Sequence, residues 1–227
     1  MPTGAIVAGG RSTRFGDADK SVAPLAGTPM VRRVANRLAG VDAAVPPGEE
    51  RASGGEPVVD DLVINCRPDQ REAIETALAG YSLPVRWALD DDTDLGPMAG
   101  IRNACRAAPS EYAFVVACDM PFVDPSFAAA LLERAEGHDA AVPQLEDQWY
   151  QTTQAVYRAD AMADACEAAL VRGDRKILDP VFETDYVVVD DATIRSLTTE
   201  RTFSNINTRE ELSAAEKHVR EFAVSST

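Results

Sequence analysis

Apolar residues along this chain fall into short continuous runs that alternate with longer stretches of helical period. Thr3-Gly4-Ala5-Ile6-Val7 is a short apolar run leading to Gly9-Gly10, the pattern of a buried strand entering a loop. A polar, glycine-rich loop follows from Ala8 to Lys20. Pro29 can open a helix over Met30–Leu38, with Val31, Val34, Ala35 and Leu38 at helical spacing. From Gly40 to about Asp60 the periodicity is lost. Pro46-Pro47-Gly48, Ser53-Gly54-Gly55 and several acids predict a flexible surface excursion, too polar and broken to pack.

Beyond it the alternation resumes. Leu62–Asn65 reads as a strand and Asp69–Leu78 as a helix; Val85–Leu89 is the next strand and Met98–Ala107 the next helix. Tyr112–Ala117 has the strongest pattern of a central strand, and Asp124-Pro125 then opens a helix through Ala135. Ala140–Val142 is a short strand, Thr153–Tyr157 is a candidate for another, and a helix spans Asp160–Val171. Tyr186–Val189 closes the strand series, and Glu210–Phe222 forms a last helix capped by Thr208. Repeated βα units predict an α/β fold with a mainly parallel central sheet and helices on both faces. The length of 227 residues suits a single domain over 1–227, with the stretch at about 40–60 as an insertion.

Composition narrows the function classes. Hydrophobic residues make up 45%, enough for a sizeable core, yet no apolar run reaches the roughly 18 residues of a membrane span. The N-terminus lacks a basic region and a cleavage pattern, so a cytoplasmic protein is expected. Cys66, Cys105, Cys118 and Cys166 form no C-x-x-C pair and only His138 and His218 are present, so reduced, buried thiols are expected and zinc is not. The net charge is −15, with 37 acidic against 22 basic residues, which disfavours a nucleic-acid partner. Lysine occurs only at 20, 176 and 217; this acidic, lysine-poor composition is similar to that of proteins from high-salt cytoplasm, where negative charge maintains solubility.

In open α/β sheets ligands bind beyond the carboxyl ends of strands, so the first loop is the leading candidate site. It reads Ala8-Gly9-Gly10-Arg11-Ser12-Thr13-Arg14-Phe15-Gly16, with Asp19-Lys20 after it. Gly9 and Gly10 let backbone N–H groups form an anion-binding concavity, and Arg14 and Lys20 add positive charge for a triphosphate. No Gly-Lys-Ser/Thr closes the loop and it is not G-x-G-x-x-G, so neither a Walker A loop nor a dinucleotide fingerprint is present. Further stations fall at strand ends. The Asn65 amide can present a donor and an acceptor to a base or ribose. Asp90-Asp91-Asp92 precedes Gly96-Pro97-Met98-Ala99-Gly100, whose helix start favours anions. Cys118-Asp119-Met120-Pro121 ends the central strand, where a carboxylate is placed to hold Mg²⁺ against phosphate oxygens.

The first loop resembles the signature of the MobA-like nucleotidyltransferases. The Asn65, Asp90, Gly96–Gly100 and Asp119 stations and Phe203-Ser204-Asn205-Ile206-Asn207-Thr208 match the same family's motifs across residues 5–212. The resemblance implies a three-layer, Rossmann-like nucleotidyltransferase fold. It also implies transfer of GMP from GTP to the phosphate of molybdenum–molybdopterin, with pyrophosphate released, Mg²⁺ as cofactor, and transient contact with other cofactor-assembly proteins. On this reading Arg14, Lys20 and Asp119 are catalytic, with the metal on Asp119. GTP would lie against Ala8, Gly9, Gly10, Arg11, Lys20, Asn65, Asp90, Asp91, Gly96, Gly100 and Asp119, with Asp90 favoured over Asp91 as the nucleoside contact. Asn205 and Asn207 would shape the acceptor pocket, and the basic Arg172, Arg175 and Lys176 are candidates for the acceptor's phosphate or pterin. GTP is preferred over CTP because cytidylyl-transferring relatives tend to carry Ala-Ala-Gly where this chain has Ala8-Gly9-Gly10. Another acceptor (cobinamide phosphate, phospholactate or a sugar phosphate) and a non-catalytic nucleotide-binding regulator remain as alternatives.

Overall fold

A computed structural model describes residues 2–10, 15, 19–41, 56–90, 96–146 and 149–225, with side chains through residue 221. Its strands are β1 (Thr3–Val7), β2 (Pro24–Leu25), β3 (Thr28–Pro29), β4 (Asp61–Cys66), β5 (Val85–Leu89), β6 (Tyr112–Ala117), β7 (Ala140–Leu145), β8 (Trp149–Tyr150), β9 (Gln154–Arg158) and β10 (Tyr186–Val189). The helices are α1 (Met30–Leu38), α2 (Arg71–Ala77), α3 (Pro97–Ala107), α4 (Pro125–Ala135), α5 (Ala159–Arg172), α6 (Leu178–Phe182), α7 (Asp191–Leu197) and α8 (Arg209–Ser225).

The sheet runs in the order β10-β7-β9-β6-β1-β4-β5, with β8 paired to β7. β1 lies between β4 and β6, parallel to both, and Val7 stands in register with Asn65 on one side and Ala117 on the other. β4 carries β5 in parallel, with Asn65 opposite Ala88. The chain moves from β1 outward to β4 and β5, then returns to place β6 on β1's other side. That reversal opens a crevice beyond the carboxyl ends of β1 and β6, where open α/β sheets bind ligands. β9 is antiparallel to both β6 and β7. The short span from Leu145 to Gln154 has no room for the crossover of roughly a dozen residues that a parallel pairing needs.

Strand side chains split between two layers. Ile6, Ile64, Phe114 and Val116 pack against Val34 and Leu38 of α1, Ile74 of α2, and Phe127 and Leu131 of α4. Ala5, Val63, Ala113 and Val115 face Ile101 and Ala104 of α3 and Met162, Cys166 and Ala169 of α5. Burial on both faces explains why these strands read as continuous apolar runs instead of alternating ones. A third, smaller cluster joins Leu25 and Met30 to Phe15, Ile206 and Ala215, and fastens α8 over the β2–β3 hairpin.

The expected three-layer α/β architecture is present. The structure adds the β2–β3 hairpin, β8, α6 and α7, of which the two-residue strands and the five-residue α6 are too short for a periodic signal. Residues 42–55 of the excursion lie outside the described residues. Its end does pack, against expectation. Val59 is fully buried, Val58 N–H donates to Leu38 O at 2.9 Å, and Asp60 N–H donates to Pro2 O at 3.1 Å. The chain must regain the sheet to start β4, and Val58-Val59 anticipates the apolar run of that strand. All four cysteines are unpaired and buried, as expected. Burial raises every thiol pKa, to about 12 for Cys66 and Cys166. Among the described residues no helix is long and apolar enough to cross a membrane.

Candidate active site

A cleft of about 480 Å³ opens at the carboxyl ends of β1, β4 and β6. Ala8, Gly9, Gly10, Lys20, Asn65, Asp90, Gly96, Gly100, Asp119, Asn205 and Asn207 all line it. These expected site residues therefore converge from widely separated segments of the chain. Arg11, Arg14 and Asp91 lie outside the described residues.

Asp119 sits just past β6, and its backbone is held from two directions. Cys118 N–H donates to Val7 O at 3.1 Å, and Ile206 N–H donates to Asp119 O at 2.9 Å. Its side chain is nearly buried. Lys20 Nζ donates to Asp119 Oδ2 at 2.5 Å and to Asn207 Oδ1 at 3.2 Å, tying the first loop, the central strand and the Asn-Ile-Asn segment together. Asp119 Oδ1 is buried with no hydrogen-bond partner among the described residues. A buried carboxylate oxygen left in that state is costly unless a ligand's cation or donor meets it.

Asn65 and Asp90 form the other wall. Asn65 is fully buried and donates from Nδ2 to Ala88 O at 3.0 Å and to Asp90 Oδ1 at 2.7 Å. Asn103, on α3, donates to the same Asp90 Oδ1 at 3.1 Å. Two amides thus hold one oxygen of Asp90, and its Oδ2 lies against Gly9. A Cβ on Gly9 would fall 2.2 Å from that oxygen, and a Cβ on Gly100 would fall 2.5 Å from Asn65 Oδ1. A side chain at either place would force Asp90 or Asn65 to shift, so glycine is what lets the wall approach so closely. Asn65 Oδ1 is itself buried and unpartnered among the described residues. It completes a polar strip facing the N-terminal end of α3, where Gly96 and Pro97 line the cleft and the helix dipole favours anions.

The C-terminal segment reaches the cleft on apolar anchors. Phe203 stacks edge-on against Phe127 with centroids 5.5 Å apart, and Ile206 is buried beside Phe15 and Leu25. Between and after these anchors Asn205 and Asn207 face the cleft. Thr208 and Glu211 cap α8 reciprocally: Thr208 Oγ1 accepts from Glu211 N–H at 3.1 Å, and Glu211 Oε2 accepts from Thr208 N–H at 3.0 Å and from Asn207 N–H at 2.6 Å. Arg175 and Lys176 are exposed in the turn between α5 and α6 and are not among the cleft-lining residues. Arg172 pairs with Glu183 at 2.6 Å and Asp174 at 3.0 Å. The basic cluster read from sequence is partly satisfied by local acids, as exposed helix ends often are.

Sequence reasoning missed Asn103, Thr153, Arg67 and Gln70. Thr153 lines the cleft from the turn just before β9. Arg67 and Gln70 lie in the turn after β4 and bond the first loop from outside, at Ala8 O, Gly9 O and Gly10 O. Each is unremarkable in its local sequence and gains its partner only through the parallel alignment of β1 and β4.

Residues 4–187 match the model of the MobA-like NTP transferase domain. The chain belongs to that family. A probable molybdenum cofactor guanylyltransferase of Natronomonas pharaonis is 43% identical over 96% of this chain and 98% of its own length. One from Haloferax mediterranei is 35% identical over 93% and 91% respectively. The fold is similar to the crystal structure of molybdopterin-guanine dinucleotide biosynthesis protein A from Archaeoglobus fulgidus. That match has a TM-score of 0.72 and 26% identity and covers 96% of this chain and 99% of that one. In this MobA-like chain, the family's first-loop and central-strand motifs meet at Lys20 and Asp119.

Proposed function

We propose that this MobA-like enzyme transfers GMP from GTP to the phosphate of molybdenum–molybdopterin, forming the guanine dinucleotide cofactor and pyrophosphate. The observation that carries this reading is the meeting of Lys20 and Asp119 across a cleft whose floor is Ala8-Gly9-Gly10. The names of the Natronomonas pharaonis and Haloferax mediterranei relatives support guanylyl transfer over the other acceptors and over a regulator.

An acceptor phosphate oxygen attacks the α-phosphorus of GTP in line. The bond to the bridging oxygen breaks, and pyrophosphate leaves. The attacking phosphate is already an anion, so no side chain need act as general base; catalysis rests on positioning and charge neutralisation. Gly9 and Gly10 N–H groups, Arg14 and Lys20 hold the departing phosphates. Asn65 and Asp90 hold the nucleoside, and Asn205 and Asn207 shape the acceptor side. Asp119 is the residue to hold Mg²⁺. The fit is supported by its orphaned buried Oδ1, which has no hydrogen-bond partner among the described residues. Mg²⁺ is commonly held by one or two carboxylates together with waters and substrate phosphates. When bound, that ion supplies charge neutralisation at the phosphates.

The test is incubation with GTP, Mg²⁺ and carrier-bound molybdenum–molybdopterin, followed by product mass and pyrophosphate release. The expected result is acceptor-dependent pyrophosphate and an adduct heavier by GMP. Equal or greater turnover with CTP, or pyrophosphate release indifferent to the acceptor, would overturn it.

A further inference from the structure

We infer that Arg67 and Gln70 are positioning residues that set the shape of the triphosphate cradle through its backbone carbonyls, an assignment that rests on the nucleotide reading above. Neither residue lines the cleft. Arg67 Nη1 donates to Gly9 O at 3.1 Å and to Gly10 O at 2.7 Å. Its guanidinium is oriented from the other side by Asp69, with Nε to Oδ1 at 3.0 Å and Nη2 to Oδ2 at 3.1 Å. This two-pronged pairing fixes the plane of the guanidinium and leaves Nη1 aimed at the loop.

Gln70 extends the clamp. It is almost fully buried; its Oε1 accepts from Arg67 N–H at 3.1 Å, and its Nε2 donates to Ala8 O at 3.1 Å and to Asp19 Oδ2 at 2.8 Å. Asp19 Oδ1 in turn accepts from Ser21 N–H at 2.9 Å and starts the helical turn that carries Lys20. One turn after β4 therefore grips three consecutive carbonyls of the first loop and the residue before its lysine.

The consequence follows from peptide geometry. In a planar trans peptide the N–H points opposite to the C=O of the preceding residue. Holding Ala8 O and Gly9 O toward Arg67 and Gln70 turns the Gly9 and Gly10 N–H groups away from that turn. Neither N–H has a hydrogen-bond partner among the described residues. The protein's own donors thus arrange the cradle's donors for an anion. Ala8 N–H is already committed to Asn65 O at 2.8 Å, which anchors the start of the loop.

Such a clamp should govern triphosphate affinity and leave nucleoside affinity alone. Titration calorimetry of the purified chain with Mg²⁺ compares GTP with guanosine for wild type, Arg67→Ala and Arg67→Lys. Loss of a charge-assisted contact predicts GTP binding weaker by about tenfold or more in Arg67→Ala, with guanosine within about twofold. Arg67→Lys should recover little, because one ammonium cannot hold Asp69 and both carbonyls together. If Arg67→Ala folds poorly, Arg67→Lys carries the comparison alone. GTP affinity unchanged in Arg67→Ala, equal losses for GTP and guanosine, or full recovery by lysine would each overturn the clamp. A wild-type chain that binds no nucleoside triphosphate would overturn the nucleotide reading and this assignment with it, whereas triphosphate-selective loss confined to the variants separates the two.

Discussion

The two oxygens of Asp119 have different surroundings: Oδ2 is paired with Lys20 at 2.5 Å, and Oδ1 is buried with no partner among the described residues. Removing either member of the pair should slow turnover by on the order of 10²–10³, the usual size of such electrostatic contacts. The effects on stability should differ. In Asp119→Asn the long Lys20 side chain can carry its ammonium toward water. In Lys20→Met a nearly buried carboxylate is left behind, at a cost of about 1–3 kcal/mol beyond that of the other variant. Urea unfolding decides it; equal stability of the two would mean Asp119 is hydrated through the cleft. A second residue-scale expectation concerns Gly100. Alanine there would gain about 1 kcal/mol of helix propensity. Its Cβ would fall 2.5 Å from Asn65 Oδ1 and 3.1 Å from Val7 Cγ1, while Asn65 is pinned through Nδ2. The resulting strain of about 1–3 kcal/mol should offset the gain and displace the nucleoside wall. Guanosine affinity should fall about tenfold with little change in melting temperature, and unchanged affinity would show that Asn65 can yield. These residues divide by how they could be read. Lys20 and Asp119 stood out because their chemistry recurs at loop and strand ends. Asn103 gave no local sign, since its value lies in reaching Asp90 Oδ1, thirteen positions back, at 3.1 Å.

Strand and helix order was legible wherever one periodic run was long enough to bury a face. Tyr112–Ala117 and Met30–Leu38 match the expected bounds for this reason. Pairing direction was not legible. Gln154–Arg158 carries the same apolar signal as a parallel strand, and only the short approach from Leu145 forces it to run against β6 and β7. The final helix shows how an element can serve the site at a distance. Glu211 caps α8 and also accepts from the N–H of Asn207, whose side chain accepts from Lys20. Glu211→Ala should cost about 1 kcal/mol, as lost caps do. It should also loosen Asn207 and raise the KM for the acceptor more than that for GTP. Steady-state kinetics with each substrate varied in turn checks this; a loss of stability with both KM values unchanged would confine Glu211 to capping.

At the scale of the molecule, charge sets a problem for the chemistry. A chain of −15 must attract a triphosphate of the same sign with few cations to spare. Several arginines are already engaged with acids on the surface, as in Arg102–Glu167 at 2.8 Å, Arg106–Asp164 at 2.6 Å and Arg195–Glu200 at 2.7 Å. The surplus acids repel one another and repel GTP over long distances, whereas the cradle attracts phosphate only at contact. Salt separates these ranges. The screening length falls from about 10 Å at 0.1 M to about 3 Å at 1 M, which removes the distant repulsion and largely spares contacts near 3 Å. Two outcomes are expected between 0.1 M and 1 M KCl. The melting temperature should rise as self-repulsion is screened. The association rate of a fluorescent GTP analogue, followed by stopped flow, should hold steady or increase, where an ordinary basic phosphate site would slow. A steep fall in that rate with salt would mean that the cradle's cations, and not the acidic envelope, dominate the field the nucleotide meets on approach.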